Sequence, residues 1–335
     1  MPKQLIPVAN RPVLAYVLEN VRDLGVTDIG MVVGDWEREI RRVVGDGSRF
    51  GAAVTYLRQD RPRGLAHCVR LARPFLGDDD FAMFLGDNLL PDGVAGIADR
   101  FRRERPAAHV VVRKVDDPRD FGVVEVDAAG RVRRLVEKPR RPASDLALVG
   151  AYFFTSAVHR AVAAIGPSAR GELEITDAVQ WLLSRGADVG WSEYRGYWRD
   201  TGRAEDLLDA NRHLLDGLRD TPGGGAAGGV DEVSVVRGPV RVGPGARVVR
   251  SRVEGPVVIG PGARVEDSFV GPYTAVGARS RLRTVDVADA IIVDGTLLQG
   301  PSWARGALFG PAAVLPGARP SAGAVPVAAG GEERA

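Results

Sequence analysis

The chain has 335 residues, of which 45% are hydrophobic and 26% charged, the balance of a globular protein long enough for two domains. Its net charge of only +2 argues against broad electrostatic binding of nucleic acid or of a membrane surface. One cysteine, Cys68, cannot form an internal disulfide, and the sequence has neither a signal peptide nor an apolar run long enough to span a membrane. We therefore expect a cytoplasmic protein.

The first two-thirds of the chain alternate strand-like apolar runs with segments of helical periodicity. Strands are predicted at Ile29–Val33, Val54–Leu57, Phe81–Leu85 and His109–Val112. Helices are predicted at Pro12–Leu24, Glu37–Val44 and Leu65–Ala72. This alternation predicts an open, mostly parallel, Rossmann-like α/β sheet, with ligands at the carboxyl ends of its strands.

A strand-rich block follows, and we expect it to add an antiparallel β-layer to the sheet. Its strands are predicted at Gly122–Val126, Arg131–Val136 and Leu148–Phe154.

The composition changes near residue 219. Thr221–Gly229 is a glycine-rich linker by composition, and beyond it aliphatic residues recur about every six positions. The segment Val242–Val248 is echoed by Ile259–Val265, 17 residues later. This is the hexapeptide pattern of a left-handed parallel β-helix, with aliphatic side chains stacked inside. We therefore predict a sheet domain over residues 1–218, a linker over 219–232, a β-helix over 233–318 and a tail over 319–335.

Two aspartates stand where predicted strands end. Gly86-Asp87 follows the apolar strand Phe81–Leu85, and Asp200 precedes a glycine turn. Two such carboxylates can share one Mg²⁺ with a triphosphate, since this ion usually binds one or two carboxylates plus phosphate oxygens. The alternative for Asp87 is that it caps the next turn.

Only three of the 45 basic residues are lysine, so each lysine is a candidate for a compact positive charge. Lys3 lies in a proline-bracketed segment, and Lys138 follows Glu137 at the end of a strand. A lysine at such a position can offset charge on phosphate oxygens, although a leftover surface lysine is the alternative. Lys114 has no such context, and we interpret it as structural.

Two further loops carry polar residues ahead of predicted helices. Gln59 can donate to and accept from a pyrimidine edge, and Gly64 allows close backbone approach. Arg170 and Glu172 precede the next helix in a loop suited to a sugar and its phosphate, whereas Thr176 and Asp177 suit helix caps.

The order of these motifs resembles one family throughout residues 2–218. PKQLIPVANRPVL, GLAH, LGDN, DPRDFGVVE, VEKP, RGELEITD and YWRDTG succeed one another as in the glucose-1-phosphate thymidylyltransferases, also called dTDP-glucose synthases. The hexapeptide tail is similar to that of the long actinobacterial form, which is associated with deoxysugar and antibiotic pathways. The resemblance implies a cytoplasmic homo-oligomer that uses Mg²⁺, dTTP and glucose 1-phosphate.

The resemblance also implies roles for individual residues. Asp87 and Asp200 would hold Mg²⁺, with Lys3 on the triphosphate and Lys138 on the sugar phosphate. Gln59 and Gly64 would read the thymine edge. The glucosyl pocket would be lined by Gly122, Glu137 and Arg170. Phe121 stands where the family has a tyrosine, so a hydrogen bond from that ring is lost.

One family feature is missing from this sequence. The family places a strand and a glycine-rich loop, GGxGTRLxP, some fifteen to twenty residues before the PKQL segment, whereas here Met1 abuts Pro2-Lys3. Backbone N–H groups of such a loop bind the triphosphate. We expect that an internal methionine was taken as the start of a longer protein. The missing strand would leave apolar sheet edges open.

The implied reaction is in-line attack of a glucose 1-phosphate oxygen on the α-phosphorus of dTTP, with release of pyrophosphate. Three alternatives stay open. One is a related nucleotidyltransferase for another nucleotide or sugar, such as UTP or mannose 1-phosphate. Another is acyl transfer on the β-helix, although all four histidines precede the linker. The third is a regulatory subunit that binds nucleotide weakly and releases no pyrophosphate.

Overall fold

The computed structural model describes residues 1–220 and 229–310, which form two compact units. The first unit comprises Met1–Pro2 and Leu14–Asp200, and the second comprises Lys3–Val13 and the chain from Thr201 onward. The predicted tail over 319–335, and all of the predicted linker Thr221–Gly229 except Gly229, lie outside the described residues. The predicted domain boundaries stay predictions.

The chain up to residue 220 is built of short strands and helices. The strands are β1 (Pro7–Val8), β2 (Arg11–Pro12), β3 (Asp28–Val33), β4 (Ala53–Arg58), β5 (Phe81–Phe84), β6 (Asn88–Leu89), β7 (Ala108–Lys114), β8 (Gly122–Val126), β9 (Val132–Glu137), β10 (Leu146–Phe154), β11 (Val189–Glu193) and β12 (Arg199–Asp200). The helices are α1 (Val13–Asp23), α2 (Glu37–Val44), α3 (Leu65–Leu76), α4 (Ala95–Glu104), α5 (Val158–Ala164), α6 (Ile175–Ser184) and α7 (Ala204–Asp216). Short 3₁₀ turns span Lys3–Leu5, Ser48–Phe50 and Gly217–Asp220. No helix among the described residues is long and apolar enough to cross a membrane.

The main sheet of the first unit has six strands, with β10 at its centre. β10 runs antiparallel to β5, β7 and β8, while β11 runs parallel to β7. The predicted α/β fold is confirmed, and so is the antiparallel layer that the strand-rich block adds. β5, β7, β8 and β11 share one direction, whereas β9 and β10 run in the opposite direction. The reason is the antiparallel hairpin β8–β9, after which the chain returns as β10.

A second, two-stranded sheet of this unit contains β3 and β4 in parallel. Among the described residues, β3 pairs only with β4 and β5 pairs only with β10, so each has one open edge. The four residues of β5 are half-buried, whereas all nine of β10 are buried.

The second unit is dominated by a parallel β-helix. Its strands are β13 (Val235–Arg237), β14 (Val240–Val242), β15 (Arg247–Val249), β16 (Arg252–Glu254), β17 (Val257–Ile259), β18 (Arg264–Glu266), β19 (Phe269–Val270), β20 (Thr274–Val276), β21 (Arg281–Ile292) and β22 (Leu297–Phe309). Val240 pairs with Val257, which pairs with Thr274, so one coil takes 17 residues, as the repeat predicted. Aliphatic side chains such as Val248, Val265 and Leu282 fill its interior. The left-handed sense of the coil stays a prediction.

A buried histidine lies in the main sheet between β7 and β11. His109 is fully buried, and its Nε2 lies 2.9 Å from Ser192 Oγ. Burial is the main cause that lowers the pKa of His109 to about 4, with Arg100 adding to the effect and Glu104 opposing it.

The buried imidazole predicts a loss of stability at acid pH. The folded pKa lies below the usual value, so the stabilising effect of neutral His109 is complete above about pH 6.5 and is lost as the pH falls toward 4. This group accounts for up to about 3 kcal/mol of that loss. Urea unfolding of His109→Gln between pH 7 and pH 4 should show a shallower pH dependence than the unsubstituted protein. Identical slopes would contradict the assignment.

Candidate active site

The turn after β5 carries the first predicted metal-binding carboxylate. Leu85 donates its N–H to Gly150 O of β10 at 2.8 Å, and Asn88 donates to Leu85 O at 3.3 Å. These bonds place Gly86-Asp87 in a tight turn at the carboxyl end of β5. The Asp87 side chain is half-buried, and that of Asn88 is buried.

Gly150 permits this turn to pack closely against β10. Its φ is +78°, and the register between β10 and β7 shifts at this point, as in a β-bulge. A Cβ atom at residue 150 would lie 3.0 Å from Asn88 Cγ and from Leu85 Cδ1. The glycine therefore combines a left-handed backbone with a close approach to the candidate site.

The Asn88 amide is fixed on both sides. Its Nδ2 donates to Asp87 Oδ1 at 3.1 Å, and its Oδ1 accepts from Trp198 Nε1 at 2.8 Å. Sequence reasoning assigned no role to Asn88 or Trp198. The signal that could have found them is their place inside the LGDN and YWRDTG motifs, since buried amide and indole groups need hydrogen-bond partners.

The strand that ends at Asp200 pairs with the strand that begins directly after Asp87. β12 pairs with β6 in antiparallel register, with Asp200 opposite Asn88, the residue after Asp87. Opposed Cα atoms in such a pair lie about 4.5–5.5 Å apart. The described residues contain no group of three or more metal-ligating side chains. Two carboxylates nevertheless fit Mg²⁺, because this ion completes its shell with water and phosphate oxygens.

The predicted sugar-pocket residues also lie together. Gly122 pairs with Glu137 across the β8–β9 hairpin, and Thr176 Oγ1 donates to Glu137 Oε2 at 3.1 Å. A Cβ atom at residue 122 would lie 2.6 Å from Leu148 Cδ1 and 2.8 Å from Thr176 Cγ2. Thr176 thus orients the carboxylate from inside α6, rather than only capping that helix.

Charges around Glu137 oppose one another. Burial, followed by the Glu174 carboxylate, raises the pKa of Glu137 above its usual value. The hydrogen bond from Thr176 and the charges of Lys138 and Arg170 act in the opposite direction. Arg170 Nε also lies 3.3 Å from Glu174 Oε1, so the Arg170 loop is tied to the start of α6.

Lys138 and Phe121 connect the sugar pocket with the carboxylate pair. Lys138 is exposed, has a left-handed φ of +41° and donates its N–H to Phe121 O at 3.0 Å. The Phe121 ring packs edge-on against Trp198, with 5.1 Å between ring centroids. Because Trp198 bonds Asn88, a connected set of contacts runs from Asp87 to Phe121, whose backbone bonds that of Lys138. The Phe121 ring therefore contributes packing against Trp198.

Gly64 and Gln59 form the third part of the candidate site. Gly64 has a φ of +90°, and a Cβ atom there would lie 2.8 Å from Leu173 N. Because Gly64 has no side chain, its backbone can thus pack closely against the loop Arg170–Thr176. Gln59 Nε2 lies 2.8 Å from His67 Nδ1. Burial, followed by the charges of Arg63 and Arg70, lowers the pKa of His67.

Lys3 is the predicted site residue that belongs to the second unit. It is exposed in the short 3₁₀ turn Lys3–Leu5, which belongs to the unit of the β-helix. The structure thus joins Asp87 with Asp200, and Gly122 with Glu137, Lys138 and Arg170, within the first unit.

Comparison with known proteins agrees with this arrangement. The nucleotidyl transferase family profile matches residues 1–217. The chain is 49% identical to a glucose-1-phosphate thymidylyltransferase of Streptomyces antibioticus, over 92% of this chain and 86% of the relative. It is 44% identical to the low-salt glycan biosynthesis nucleotidyltransferase Agl11 of Haloferax volcanii, over 87% and 82%. A Bacillus anthracis crystal structure assigned to the glucose-1-phosphate thymidylyltransferases, in complex with sucrose, is 33% identical with a TM-score of 0.60, over 67% of this chain and 89% of that one.

The fold and the family profile together define a nucleotidyl transferase. Within that class, the chain belongs to the glucose-1-phosphate thymidylyltransferase family.

The tight turn at β5 predicts a strong effect of Gly150→Ala. A left-handed backbone alone costs alanine about 1–2 kcal/mol, and the added methyl group would crowd Asn88 and Leu85. We expect a lower free energy of unfolding in urea and a slower transfer reaction. The matched control is Gly96→Ala in α4, where no atom lies within 4 Å of the new Cβ. Equal effects of the two substitutions would contradict this role of Gly150.

Proposed function

We propose that this protein transfers the thymidylyl group of dTTP to glucose 1-phosphate and releases pyrophosphate. The observation that supports it most is the connected set of contacts from Asp87 through Asn88, Trp198 and Phe121 to the backbone of Lys138, within a thymidylyltransferase family member. This set links one of the two predicted metal-binding aspartates to the strand end that carries the predicted phosphate-binding lysine.

Asp87 and Asp200 are the residues that would hold Mg²⁺, and the pairing of Asp200 with Asn88, the residue after Asp87, supports this assignment. The ion, when bound, neutralises charge on triphosphate oxygens. Asn88 keeps the Asp87 carboxylate oriented through its 3.1 Å hydrogen bond, while its own amide is held by Trp198.

The protein side chains would position two anionic substrates for direct displacement. A phosphate oxygen of glucose 1-phosphate forms a bond to the α-phosphorus, and the bond from that phosphorus to the leaving pyrophosphate oxygen breaks. Lys138 would offset charge on the sugar phosphate, and Lys3 on the triphosphate. No covalent enzyme intermediate and no general base are needed, since the attacking oxygen is already ionised.

Polar groups near the pocket would select the substrates. Glu137, held by Thr176, would accept hydrogen bonds from glucosyl hydroxyls, with Gly122 and Arg170 as neighbours. Gln59 presents its Oε1 to a pyrimidine edge, since its Nε2 lies 2.8 Å from His67 Nδ1 and donates to Cys68 Sγ at 3.5 Å. Assembly as a homo-oligomer stays a prediction of the family resemblance.

Asp87→Asn tests the metal assignment. The amide removes the negative charge that would bind Mg²⁺ but preserves the side-chain shape. We expect kcat/KM for pyrophosphate release to fall about a hundredfold or more. Asp99→Asn, an exposed carboxylate on α4 paired with Arg102, is the control and should retain activity. Full activity of Asp87→Asn would refute the assignment.

The choice of nucleotide and sugar can be tested on the unsubstituted protein. Pyrophosphate release should be faster with dTTP than with UTP, and faster with glucose 1-phosphate than with mannose 1-phosphate. A preference for UTP or for the mannosyl substrate would favour a related nucleotidyltransferase. A protein that releases no pyrophosphate with any of these pairs would contradict the proposed function.

A further inference from the structure

The segment Lys3–Val13 folds as a short hairpin that its own contacts stabilise only weakly. β1 and β2 pair Pro7 with Pro12 and Val8 with Arg11. Beyond the Val8–Arg11 pair next to the turn, Val13 N donates to Ile6 O across the hairpin at 3.3 Å, so the two strands share few ladder hydrogen bonds. Even longer isolated hairpins are marginally stable in water. The segment therefore needs support from outside its own strands.

The tip of this hairpin also has an unfavourable local sequence. Ala9 and Asn10 have φ values of +47° and +63°, as in a type I′ turn, where glycine is the usual second residue. Alanine avoids this region because its Cβ crowds the backbone. The Asn10 side chain compensates in part, since its Nδ2 donates to Val276 O of the β-helix at 2.8 Å.

A buried amide of α7 also joins the hairpin tip to the β-helix. Asn211 of α7 is fully buried. Its Oδ1 accepts from Ala9 N at 2.9 Å, and its Nδ2 donates to Tyr273 O at 2.9 Å. The two partners are 202 and 62 residues away along the chain, so the side chain bridges two distant backbone segments.

The helix that carries this amide is itself fixed to the β-helix. Arg212 makes two hydrogen bonds to the Asp289 carboxylate, at 2.7 and 2.6 Å. Leu215 packs with Val258 and Ala275 in a small buried cluster that Ala9 also contacts. A bidentate ion pair and an apolar contact thus hold α7 in register with the coils.

We propose that the β-helix holds the segment Lys3–Val13 in its folded conformation through the buried amide of Asn211, which makes Asn211 a positioning residue for Lys3. The β-helix then contributes to the reaction by ordering a segment that carries a phosphate-binding lysine. This consequence for catalysis rests on the role proposed for Lys3 above, whereas the anchoring itself does not.

Three variants of the full chain test the anchoring. Asn211→Ala removes both hydrogen bonds. Asn211→Asp keeps an acceptor for Ala9 N but sets an oxygen against Tyr273 O, with almost no change in volume. Asn10→Gly deletes the bond to Val276 O while suiting the left-handed backbone, so it is the variant least expected to misfold. In all three, hydrogen exchange of the Lys3–Val13 peptide should accelerate about tenfold or more.

Val265→Ala is the matched control, because it creates a cavity in the β-helix interior on a coil face without the hairpin contacts. It should lower the overall stability and leave the exchange of the Lys3–Val13 peptide unchanged. The kinetic readout is the KM for dTTP, which should rise about tenfold in Asn211→Ala, while the KM for glucose 1-phosphate stays within about twofold.

Unchanged exchange of the peptide in the three variants would overturn the proposal. So would faster exchange with both KM values rising together, because loss of structure alone predicts that result. A chain that releases no pyrophosphate before any substitution would overturn the proposed function instead, and the exchange data would then decide the anchoring alone.

Discussion

Because all nine residues of β10 are buried, its backbone polar groups must be satisfied by neighbouring strands rather than by water. β7 satisfies one edge, while β5 and β8 share the other. β5 leads directly to Asp87, and β8 begins at Gly122. The requirement for complete backbone pairing along one strand therefore fixes the distance between the carboxylate pair and the sugar pocket. The bulge at Gly150 refines this arrangement, because its carbonyl holds Leu85 and its missing side chain leaves room for Asn88.

The side chains near β10 include an ordered hydrogen-bonded set and a partly buried carboxyl group. The indole of Trp198 holds the amide of Asn88, which in turn holds the Asp87 carboxylate. Because these side chains are already ordered, they lose little further conformational entropy when an anionic ligand binds. This is the benefit of a preorganised site. Glu137 is different, because burial and the Glu174 carboxylate raise its pKa while Thr176, Lys138 and Arg170 act against that rise.

Local patterns in the sequence predicted the local structure well. α2 spans Glu37–Val44, as its periodicity indicated, and the 17-residue repeat of the β-helix is confirmed. Asp87 and Asp200 could be nominated because each follows a recognisable motif. The antiparallel direction of β10 was predicted with the strand-rich block, but its pairing with β5 and β7 was not, since such pairing joins strands distant in sequence. The Trp198–Asn88 bond joins residues 110 positions apart and leaves no periodic trace. The contact of Gly64 with the Leu173 backbone was hidden in the same way. The association of Lys3–Val13 with the β-helix was equally hidden, because its hydrogen bonds join residues 202 and 266 positions apart.

The central claim is direct transfer of a nucleotidyl group to an intact sugar phosphate. The most direct measurement uses glucose 1-phosphate labelled with ¹⁸O in its non-bridging phosphate oxygens, with dTTP and the unsubstituted protein, followed by mass spectrometry of the products. Direct attack by the sugar phosphate on the α-phosphorus predicts that all of the label is found in dTDP-glucose and that the pyrophosphate is unlabelled. Label in pyrophosphate or in free phosphate, or the absence of dTDP-glucose, would contradict it.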